Sequence, residues 1–374
     1  MRTQIIEPYR GRSVLVVSLT VIGLFLSLLA PISLAGTAQG ATCQPLDTGT
    51  PVPEIAEAPE LSGVTVPDGA IEVTFGYIPV SIFAPVFVAY EKGYFAEQGL
   101  DVQLEVLPGS SDMVLLTATG DMDMAISGVG PAYWNAVDQG LGVEIVAPGH
   151  QEGSPIASPL MISTQACEEG SITSVADLEG KRVAVNAPGA TELWLDIALE
   201  TGGLSIEDVD LQYMSFPDAV VALDSGALDA SIIGEPLATQ AEQDGLAVRL
   251  LSDLPVQDIQ PTVIFGNQQW MSDNPDAAAG VVAGYLRASR DLTENFNDPL
   301  HLAIIEKYTG VPAPLIAASV KPVYATDGTV NLDSMNQLQS FFGERGLLDY
   351  EDDIDPATMV NSTYVDAALE TIGE

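Results

Sequence analysis

The feature that most constrains this chain is a short motif that occurs twice. The segment GDMDMAISG, from Gly120 to Gly128, is matched by GALDASIIG, from Gly226 to Gly234, with Gly, Asp and Gly at equivalent positions. A strand pattern and a short apolar helix precede each copy, and a new helix that opens at Pro131 or Pro236 follows it. A strand–helix–strand unit that occurs once in each half predicts two lobes of similar topology.

Alternating apolar and polar residues predict the strands around the two copies. Val102, Leu104 and Val106 alternate with polar residues, a period of two that is typical of a strand. We predict strands at Ile71–Tyr77, Asp101–Leu107, Asp123–Ser127 and Val143–Ala147 in the first lobe, and at Arg182–Asn186, Asp210–Met214, Ala230–Ile233 and Val248–Leu251 in the second. Helical patterns lie between these strands, so the fold class is α/β.

The remainder of the chain sets the predicted lobe boundaries. Helices are predicted at Ala277–Asn295, Pro299–Thr309, Pro314–Val320, Leu332–Arg345 and Val365–Thr371. We expect this helical C-terminal tail to fold back on the first lobe, which then comprises residues 71–158 and 265–374. The second lobe comprises residues 159–264. Pro159–Ser163 and Thr262–Phe265 lie where the chain crosses between lobes, and both are candidate hinge strands.

The N-terminal region has the plan of an exported protein. Three arginines precede the uncharged run Val14–Ala30, and a cleavage site is predicted before Ala41. Residues 1–40 are therefore assigned to a signal peptide and the proline-rich residues 41–70 to a tether. The apolar run is long for a signal peptide, so an uncleaved membrane anchor remains an alternative. In both cases we expect a periplasmic or extracellular protein.

Charge and cysteine content limit the partners and the compartment. The chain has 52 Asp and Glu residues against 12 Lys and Arg, a net charge of −40, which excludes nucleic acid as a partner. Such a surface suggests a saline source, although an ordinary acidic secreted protein has the same composition. The two cysteines, Cys43 and Cys167, are predicted to form one disulfide that ties the N-terminal tail to the body.

Four turns between a strand and the next helix are the candidate binding segments. They are Gly76–Pro79, Ser127–Pro131, Asn186–Thr191 and Gly234–Pro236. Small molecules bind beyond the carboxyl ends of strands in open α/β sheets, where helix N-termini offer free N–H donors. Each turn alone is equally well explained as a tight turn or a helix cap, but two from each lobe favour a site between lobes. Tyr77, Phe83, Tyr133, Trp134 and Trp194 are the aromatic residues available as walls, or else core residues.

Catalysis finds little support in the sequence. His150 and His301, the two histidines, lie in separate segments without a nucleophile motif beside them. The chain has no Gly-x-Ser-x-Gly motif, no phosphate-binding loop and no Cys/His metal spacing. We therefore expect a binding protein without metal or cofactor.

Several of these segments together resemble a known family. They are APVFVAYEKGYFAEQGLDVQLEVLPGSSD, GDMDMAISGVGPA, ITSVADLEGKRVAVNAPGAT and DVDLQYMSFPDAVVALDSGALDASIIGEP. The combination resembles the solute-binding proteins of ABC importers in the nitrate, sulfonate, taurine and thiamine-precursor group. The resemblance implies a two-lobed type II periplasmic-binding fold with a hinge. It also implies a small-molecule ligand between the lobes, and a membrane permease and an ATPase as partners of a monomeric protein.

The resemblance assigns ligand-binding residues at the four turns. They are Tyr77, Ile78, Ser81, Phe83, Ser127, Gly128, Val129, Trp134, Gly189, Ala190, Thr191, Glu192, Trp194 and Glu235. Relatives often carry a serine-rich or histidine-bearing loop where this chain has Pro188–Glu192, which leaves the ligand class open. Because Glu192 and Glu235 are expected to face the cleft, we predict a neutral, cationic or zwitterionic solute such as taurine or an aminopyrimidine. A pyrimidine-synthase-like enzyme and an extracellular sensory module remain alternatives.

Overall fold

A computed structural model describes residues 63–256 and 258–373 of the chain. The predicted signal peptide, most of the predicted tether and Cys43 lie outside the described residues. Cys167 is buried, and its predicted disulfide with Cys43 stays a prediction. Within the described ranges, no helix is both long enough and apolar enough to span a membrane.

The described strands include every predicted one, with ends within two residues of the prediction, and two short strands, His150–Gln151 and Val323–Tyr324, that were not predicted. In chain order, the strands are β1 (Ile71–Tyr77), β2 (Leu100–Val106), β3 (Met124–Gly128), β4 (Val143–Pro148), β5 (His150–Gln151), β6 (Leu160–Ser163), β7 (Arg182–Val185), β8 (Asp210–Tyr213), β9 (Ala230–Ile232), β10 (Ala247–Leu251), β11 (Thr262–Asn267) and β12 (Val323–Tyr324). The α/β fold class is therefore confirmed.

The helices connect these strands and form the C-terminal part. They are α1 (Ala84–Glu91), α2 (Tyr94–Glu97), α3 (Ser110–Thr119), α4 (Pro131–Asp138), α5 (Thr164–Glu168), α6 (Ala190–Glu200), α7 (Phe216–Asp224), α8 (Leu237–Gln243), α9 (Gln268–Asp273), α10 (Pro275–Asn295), α11 (Pro299–Thr309), α12 (Ala313–Ala318), α13 (Leu332–Glu344) and α14 (Thr363–Ile372). The five helices predicted for the tail are α10 to α14.

Two five-stranded sheets share one topology. Their strand orders are β2-β1-β3-β11-β4 and β8-β7-β9-β6-β10. In both sheets the first three strands are parallel, and the fourth, β11 or β6, runs antiparallel to its neighbours. The repeated motif thus marks two units of the same architecture.

The repeated aspartate explains part of the motif. Asp123 Oδ2 accepts hydrogen bonds from the Thr74 backbone N–H and hydroxyl at 2.8 Å each. Asp229 Oδ2 accepts from the Arg182 backbone N–H at 2.9 Å. In both copies the carboxylate therefore fixes the neighbouring first strand. The glycine that opens each copy has positive φ, 78° at Gly120 and 69° at Gly226, which favours glycine at the helix end.

Both candidate hinge strands belong to a sheet, which corrects one predicted boundary. β6 lies within the second sheet, and β11 lies wholly within the first, between β3 and β4. A boundary at residues 264/265 therefore cuts β11. The chain passes from β4 of the first sheet to β6 of the second in residues 149–159. It returns from β10 of the second sheet to β11 of the first in residues 252–261.

Clusters of buried apolar side chains cover both faces of each sheet. One cluster packs α1, α10 and α11 on the first sheet. A second cluster is continuous from the other face of the first sheet, across Phe341 and Phe342 of α13, to Trp194 of α6 and the second sheet. A third covers the opposite face of the second sheet with α7 and α8. The tail therefore packs against both sheets, with α13 between them.

Candidate functional site

The sheet topology brings the four predicted turns together in two pairs. β1 and β3 are adjacent parallel strands, with Gly76 opposite Ala125, so their following turns share one sheet edge. β7 and β9 are adjacent in the same way, with Ala184 opposite Ser231. Within the part of the chain that the structure describes, no hydrogen bond joins one pair of turns to the other.

The turn after β1 contains buried aromatic rings and a buried serine hydroxyl, that of Ser81, without a hydrogen-bond partner among the described residues. The ring of Tyr77 packs edge-on against Phe87 at 5.1 Å, and Phe83 is buried. Ser81 is 5% exposed, and its hydroxyl has no hydrogen-bond partner among the described residues. Ile78 is half-buried beside it. An enclosed hydroxyl without a partner costs free energy, so Ser81 is suited to bond a bound molecule.

The turn after β3 is held by the second crossing segment. The Val129 backbone N–H donates to the carbonyl oxygen of Pro261 at 2.9 Å, and the Ser127 hydroxyl donates to the Gly128 carbonyl at 3.2 Å. A methyl group on Gly128 would stand 3.7 Å from the hydroxyl oxygen of Ser110. Ser110, the first residue of α3, therefore adds a hydroxyl to this edge.

The turn after β7 leads into α6. Gly189 is the N-cap residue, without a side-chain hydrogen bond to the first turn, and Ala190 opens the helix. The Thr191 hydroxyl donates to Oδ1 of Asn186 at 2.6 Å. A Cβ added to Gly189 would meet no other atom within 4 Å. The Glu192 and Leu193 N–H groups donate to the Gly189 carbonyl oxygen at 3.0 and 3.3 Å, which leaves those of Ala190 and Thr191 as the donors for a bound molecule.

Three helices at the sheet edges begin at a glycine without a side-chain cap. They are α3, α4 and α6, which follow β2, β3 and β7 and begin at Gly109, Gly130 and Gly189. Elsewhere in the described chain, a Ser, Asn or Asp side chain caps α5, α9, α11 and α13, whereas α2, α10, α12 and α14 have no such cap. At the edges, Ser215 caps α7 and Glu235 caps α8. Three uncapped helix starts leave backbone N–H donors for an acceptor-rich molecule.

Glu192 does not present a free charge to a cleft, which corrects the predicted electrostatics. Its side chain is fully buried and accepts from Arg345 Nε at 2.8 Å. The Tyr213 hydroxyl donates to the other carboxylate oxygen at 3.0 Å. The carboxylate of Glu192 is therefore bonded to the residue that ends α13, Arg345. This arginine supplies the cationic partner that a buried carboxylate needs.

Glu235 is likewise paired inside the protein. Oε1 accepts from Arg249 Nη2 at 2.6 Å, and both side chains are only 3% exposed. Oε2 accepts from the Thr239 backbone N–H at 3.1 Å and so caps α8. Glu242 is bonded to Arg249 Nε at 3.0 Å. The prediction that two uncompensated glutamates disfavour anions is wrong in its premise, because Arg345 neutralises Glu192 and Arg249 neutralises Glu235.

The two tryptophans lie in the core rather than as free walls. Trp134 is 0% exposed and Trp194 is 1% exposed. Both belong to the cluster that runs from the first sheet across α13 to the second. Stacking on either ring would require displacement of packed side chains, and Tyr77, at 5% exposed, also belongs to a core cluster.

Two open pockets lie away from the predicted turns. One of about 620 Å³ is lined by Gln151, Tyr324 and the start of α13. Another of about 420 Å³ includes Pro155, Phe296 and Lys321, and the neighbouring Val320 N–H lies 3.4 Å from Oε1 of Glu235. None of the predicted ligand residues lines either pocket.

Sequence reasoning missed three residues that contribute to the candidate turns: Ser110, Arg249 and Arg345. Ser110 follows the strand β2 in the run Pro108-Gly109-Ser110-Ser111, a strand-to-helix turn of the same kind as the four that were chosen. Arg249 and Arg345 gave no signal, because nothing local indicates which carboxylate an arginine on another element will meet. Only the packing of α8 and α13 supplies these partners.

Solved structures of solute-binding proteins share this fold. The nitrate-binding protein NrtA from Synechocystis PCC 6803 superposes with a TM-score of 0.67 at 16% identity, over 83% of this chain and 90% of that one. The alkanesulfonate-binding protein SsuA from Xanthomonas axonopodis pv. citri, bound to MOPS, gives 0.64 at 17% identity, over 80% and 100%. The desulfurization enzyme DSZB gives 0.59 at 17% identity, over 80% and 99%. At these identities the likeness shows the fold alone, which is the predicted two-sheet periplasmic-binding type.

Curated relatives include three binding proteins for different solutes. The nitrate/nitrite binding protein NrtA of Nostoc sp. is 25% identical over 74% of this chain and 67% of its own length. A putative aliphatic sulfonates-binding protein of Escherichia coli is 27% identical over 58% and 68%. The formylaminopyrimidine-binding protein of Halalkalibacterium halodurans is 26% identical over 63% and 69%.

The resemblance stated from the motifs is confirmed by a family model. The model described as NMT1/THI5 like matches residues 81–297, more than half of the 374 residues, and spans β3, β7, β9 and the turns after them. The chain therefore belongs to the NMT1/THI5 like family.

Proposed function

We propose that this protein is the extracytoplasmic solute-binding component of an ABC importer. The observation that carries the proposal is that three helices, α3, α4 and α6, start at a glycine without a side-chain cap. These starts lie at the carboxyl edges of two sheets with the same topology. Backbone N–H groups there are free to bond a small molecule. Similarity to a nitrate/nitrite binding protein, a putative aliphatic sulfonates-binding protein and a formylaminopyrimidine-binding protein supports the same role.

The ligand is held between two lobes in this proposal. The first lobe contains the first sheet and most of the tail, and the second lobe contains the second sheet, with residues 149–159 and 252–261 as hinge segments. Turns on both lobes carry the candidate residues, so binding closes the hinge. Tyr77, Ile78, Ser81, Phe83, Ser127, Gly128, Val129, Gly189, Ala190 and Thr191 are the proposed contacts.

The ligand class follows from donors and charges. Glu192 and Glu235 are neutralised by arginines, so they no longer argue against an anionic head group. Free amides and the Ser81 hydroxyl favour acceptor atoms such as sulfonate, carbonyl or ring-nitrogen acceptors. We therefore propose a small organic sulfur- or nitrogen-containing solute, such as an alkanesulfonate, taurine or a pyrimidine.

Two measurements test the proposal. Calorimetric titration with an alkanesulfonate, taurine, nitrate and a formylaminopyrimidine identifies the class. Small-angle scattering with the tightest probe should show a smaller radius of gyration than without it. Binding without contraction would contradict the two-lobed clamp, and failure of all four probes would contradict the ligand class.

An enzyme is the second candidate, because DSZB shares the fold. The described residues offer little for it: His150 Nδ1 bonds the Thr262 hydroxyl at 2.7 Å, and His301 Nδ1 lies 2.9 Å from the carbonyl oxygen of Asn295. Both histidines are buried structural groups. Recovery of a bound solute unchanged after prolonged incubation would favour binding over turnover.

A further inference from the structure

A short segment after α13 touches elements of both lobes. Arg345 bonds Glu192 of α6 at 2.8 Å and Glu207 at 3.0 Å. Two residues later, the Leu347 carbonyl oxygen accepts from Asn135 Nδ2 of α4 at 3.3 Å. The Asp349 backbone N–H donates to Asn135 Oδ1 at 2.9 Å. Residues 345–349, called the clasp below, therefore connect α6 of the second lobe to α4 of the first.

The clasp turns sharply between its two ends. Gly346 has φ of 67°, in the left-handed region that glycine adopts without strain. This turn separates the arginine side chain, directed to α6, from the backbone groups that meet Asn135. The clasp is distinct from the hinge segments, so it forms a third connection between the lobes.

The other end of α13 is fixed to a hinge segment. The Ser334 hydroxyl oxygen accepts from the Gln260 backbone N–H at 3.1 Å. The Asn331 backbone N–H donates to Gln260 Oε1 at 2.7 Å. Phe341 and Phe342 between these ends belong to the core cluster that joins both sheets. α13 is therefore a rigid strut from the hinge to the clasp.

The clasp acts on a binding turn through one carboxylate. Glu192 lies in the first turn of α6, directly after the Gly189 turn. Its carboxylate is fully buried, while Arg345 is 26% exposed. Loss of the arginine leaves a buried charge with only the Tyr213 hydroxyl as a partner, and relief of that charge requires the first turn of α6 to move.

We propose that Arg345 is a positioning residue for solute binding: it holds the α6 N-terminal turn against a strut anchored on the first lobe. Binding then benefits because the amides at the start of α6 are already in place. This inference rests on the proposed solute-binding function for its effect on affinity, but its effect on the turn is independent of any ligand.

The test compares Arg345→Gln with Arg345→Lys and Asn135→Ala. Arg287→Gln is the matched control, because Arg287 pairs with the exposed Glu97 between α10 and α2, away from the clasp. Hydrogen–deuterium exchange without ligand reports the amides of residues 192 and 193, which bond the Gly189 carbonyl oxygen, with those of β7 as an internal reference. Calorimetry with the tightest of the four probes reports affinity.

Arg345→Gln should raise the exchange rate of amides 192 and 193 about tenfold while β7 stays unchanged. The Kd for the probe should rise about tenfold, with partial recovery in Arg345→Lys and a smaller effect in Asn135→Ala. Arg287→Gln should change neither quantity. Unchanged exchange at 192 and 193, or an equal increase in β7, would overturn the positioning role. If no probe binds the wild type but the local exchange rises, the proposed ligand class fails and the positioning of the turn stands.

Discussion

At the scale of single residues, Glu192 and Glu235, which the sequence analysis placed at the ligand, are buried and form ion pairs inside the protein. Arg249 lies between Glu235 and Glu242, and all three side chains are almost completely buried. Desolvation of three charges is costly, so their mutual bonds must be kept intact. This triad therefore stabilises α8 and the turn before it, rather than setting the charge of a cleft.

Arg249→Gln is expected to lower the free energy of unfolding by about 3–5 kcal/mol, because it strands two buried carboxylates. Urea denaturation followed by circular dichroism measures the loss. Arg287→Gln is the control, since its exposed ion pair with Glu97 should contribute no more than about 1 kcal/mol. Equal losses in the two variants would contradict the importance of burial here.

The repeated aspartate gives a pH prediction. Burial by itself would raise the pKa of Asp229, but hydrogen bonds from the side chain and backbone of Arg182 outweigh it and lower the pKa below its usual value. A folded-state pKa that is depressed adds stability above the unfolded pKa of about 4, and this is lost as pH falls through the folded value.

Asp229→Asn should therefore cost about 1.5 kcal/mol at neutral pH and make the loss of stability on acidification below about pH 4 less steep. Urea midpoints at several pH values measure both effects. Asp224→Asn, on the exposed end of α7, is the control. An Asp229→Asn profile parallel to the wild type would rule out this linkage.

At the scale of elements, three helices at the carboxyl edges of the sheets start at a glycine without a side-chain cap. They are α3, α4 and α6. A helix start left open at a sheet edge is stable only because water or a ligand bonds its amides. The starts of α3, α4 and α6 are thus candidate points of contact with a ligand.

Gly130→Asp should close the start of α4. Gly130 has φ of −88°, and an added Cβ meets no atom within 4 Å, so an aspartate fits and caps the helix with its own carboxylate. The Kd of the tightest probe should rise about tenfold, equivalent to one lost hydrogen bond to a charged group.

The control for this prediction is Gly130→Ala, which adds a Cβ but no acceptor and should stay within about twofold of the wild-type Kd. Calorimetry measures both variants, and thermal unfolding checks that each remains folded. Unchanged affinity in Gly130→Asp would show that the α4 amides do not bond the ligand.

At the scale of the whole molecule, two-thirds of the basic residues after the first 12 positions are engaged in ion pairs. Three of the 12 basic residues are arginines within the first 12 positions. Six of the nine that follow form ion pairs: Lys92, Arg182, Arg249, Arg287, Lys307 and Arg345. The remaining carboxylates repel one another, which opposes the compact state at low ionic strength.

Salt should therefore stabilise the protein. The midpoint of thermal unfolding should rise by about 5 °C or more between about 50 mM and about 1 M sodium chloride, because the repulsion is screened. Differential scanning calorimetry measures the shift. The effect should shrink at about pH 4.5, where many carboxylates bind protons. A midpoint that falls or stays constant at neutral pH would show that carboxylate repulsion does not limit stability.

The sequence by itself determined the local structure and the duplication. Period-two runs such as Ile71–Tyr77 and capped helices such as Pro299–Thr309 have the same bounds in the structure, because hydrophobic period and capping act within a few residues. The Gly and Asp of the repeated motif also indicated two equal units. These features are local, so they can be read without knowledge of distant contacts.

Only the tertiary structure decided the electrostatics and the partners of the candidate site. Glu192 pairs with Arg345 and Glu235 pairs with Arg249 because separate elements pack side by side. The residues around each glutamate do not indicate which arginine it will contact. Burial of Trp134 and Trp194 was likewise set by α13, which closes over both sheets. The membership of β11 in the first sheet followed from ladder hydrogen bonds with β3 and β4. Pairings of this kind depend on three-dimensional proximity, which the local pattern of residues does not encode.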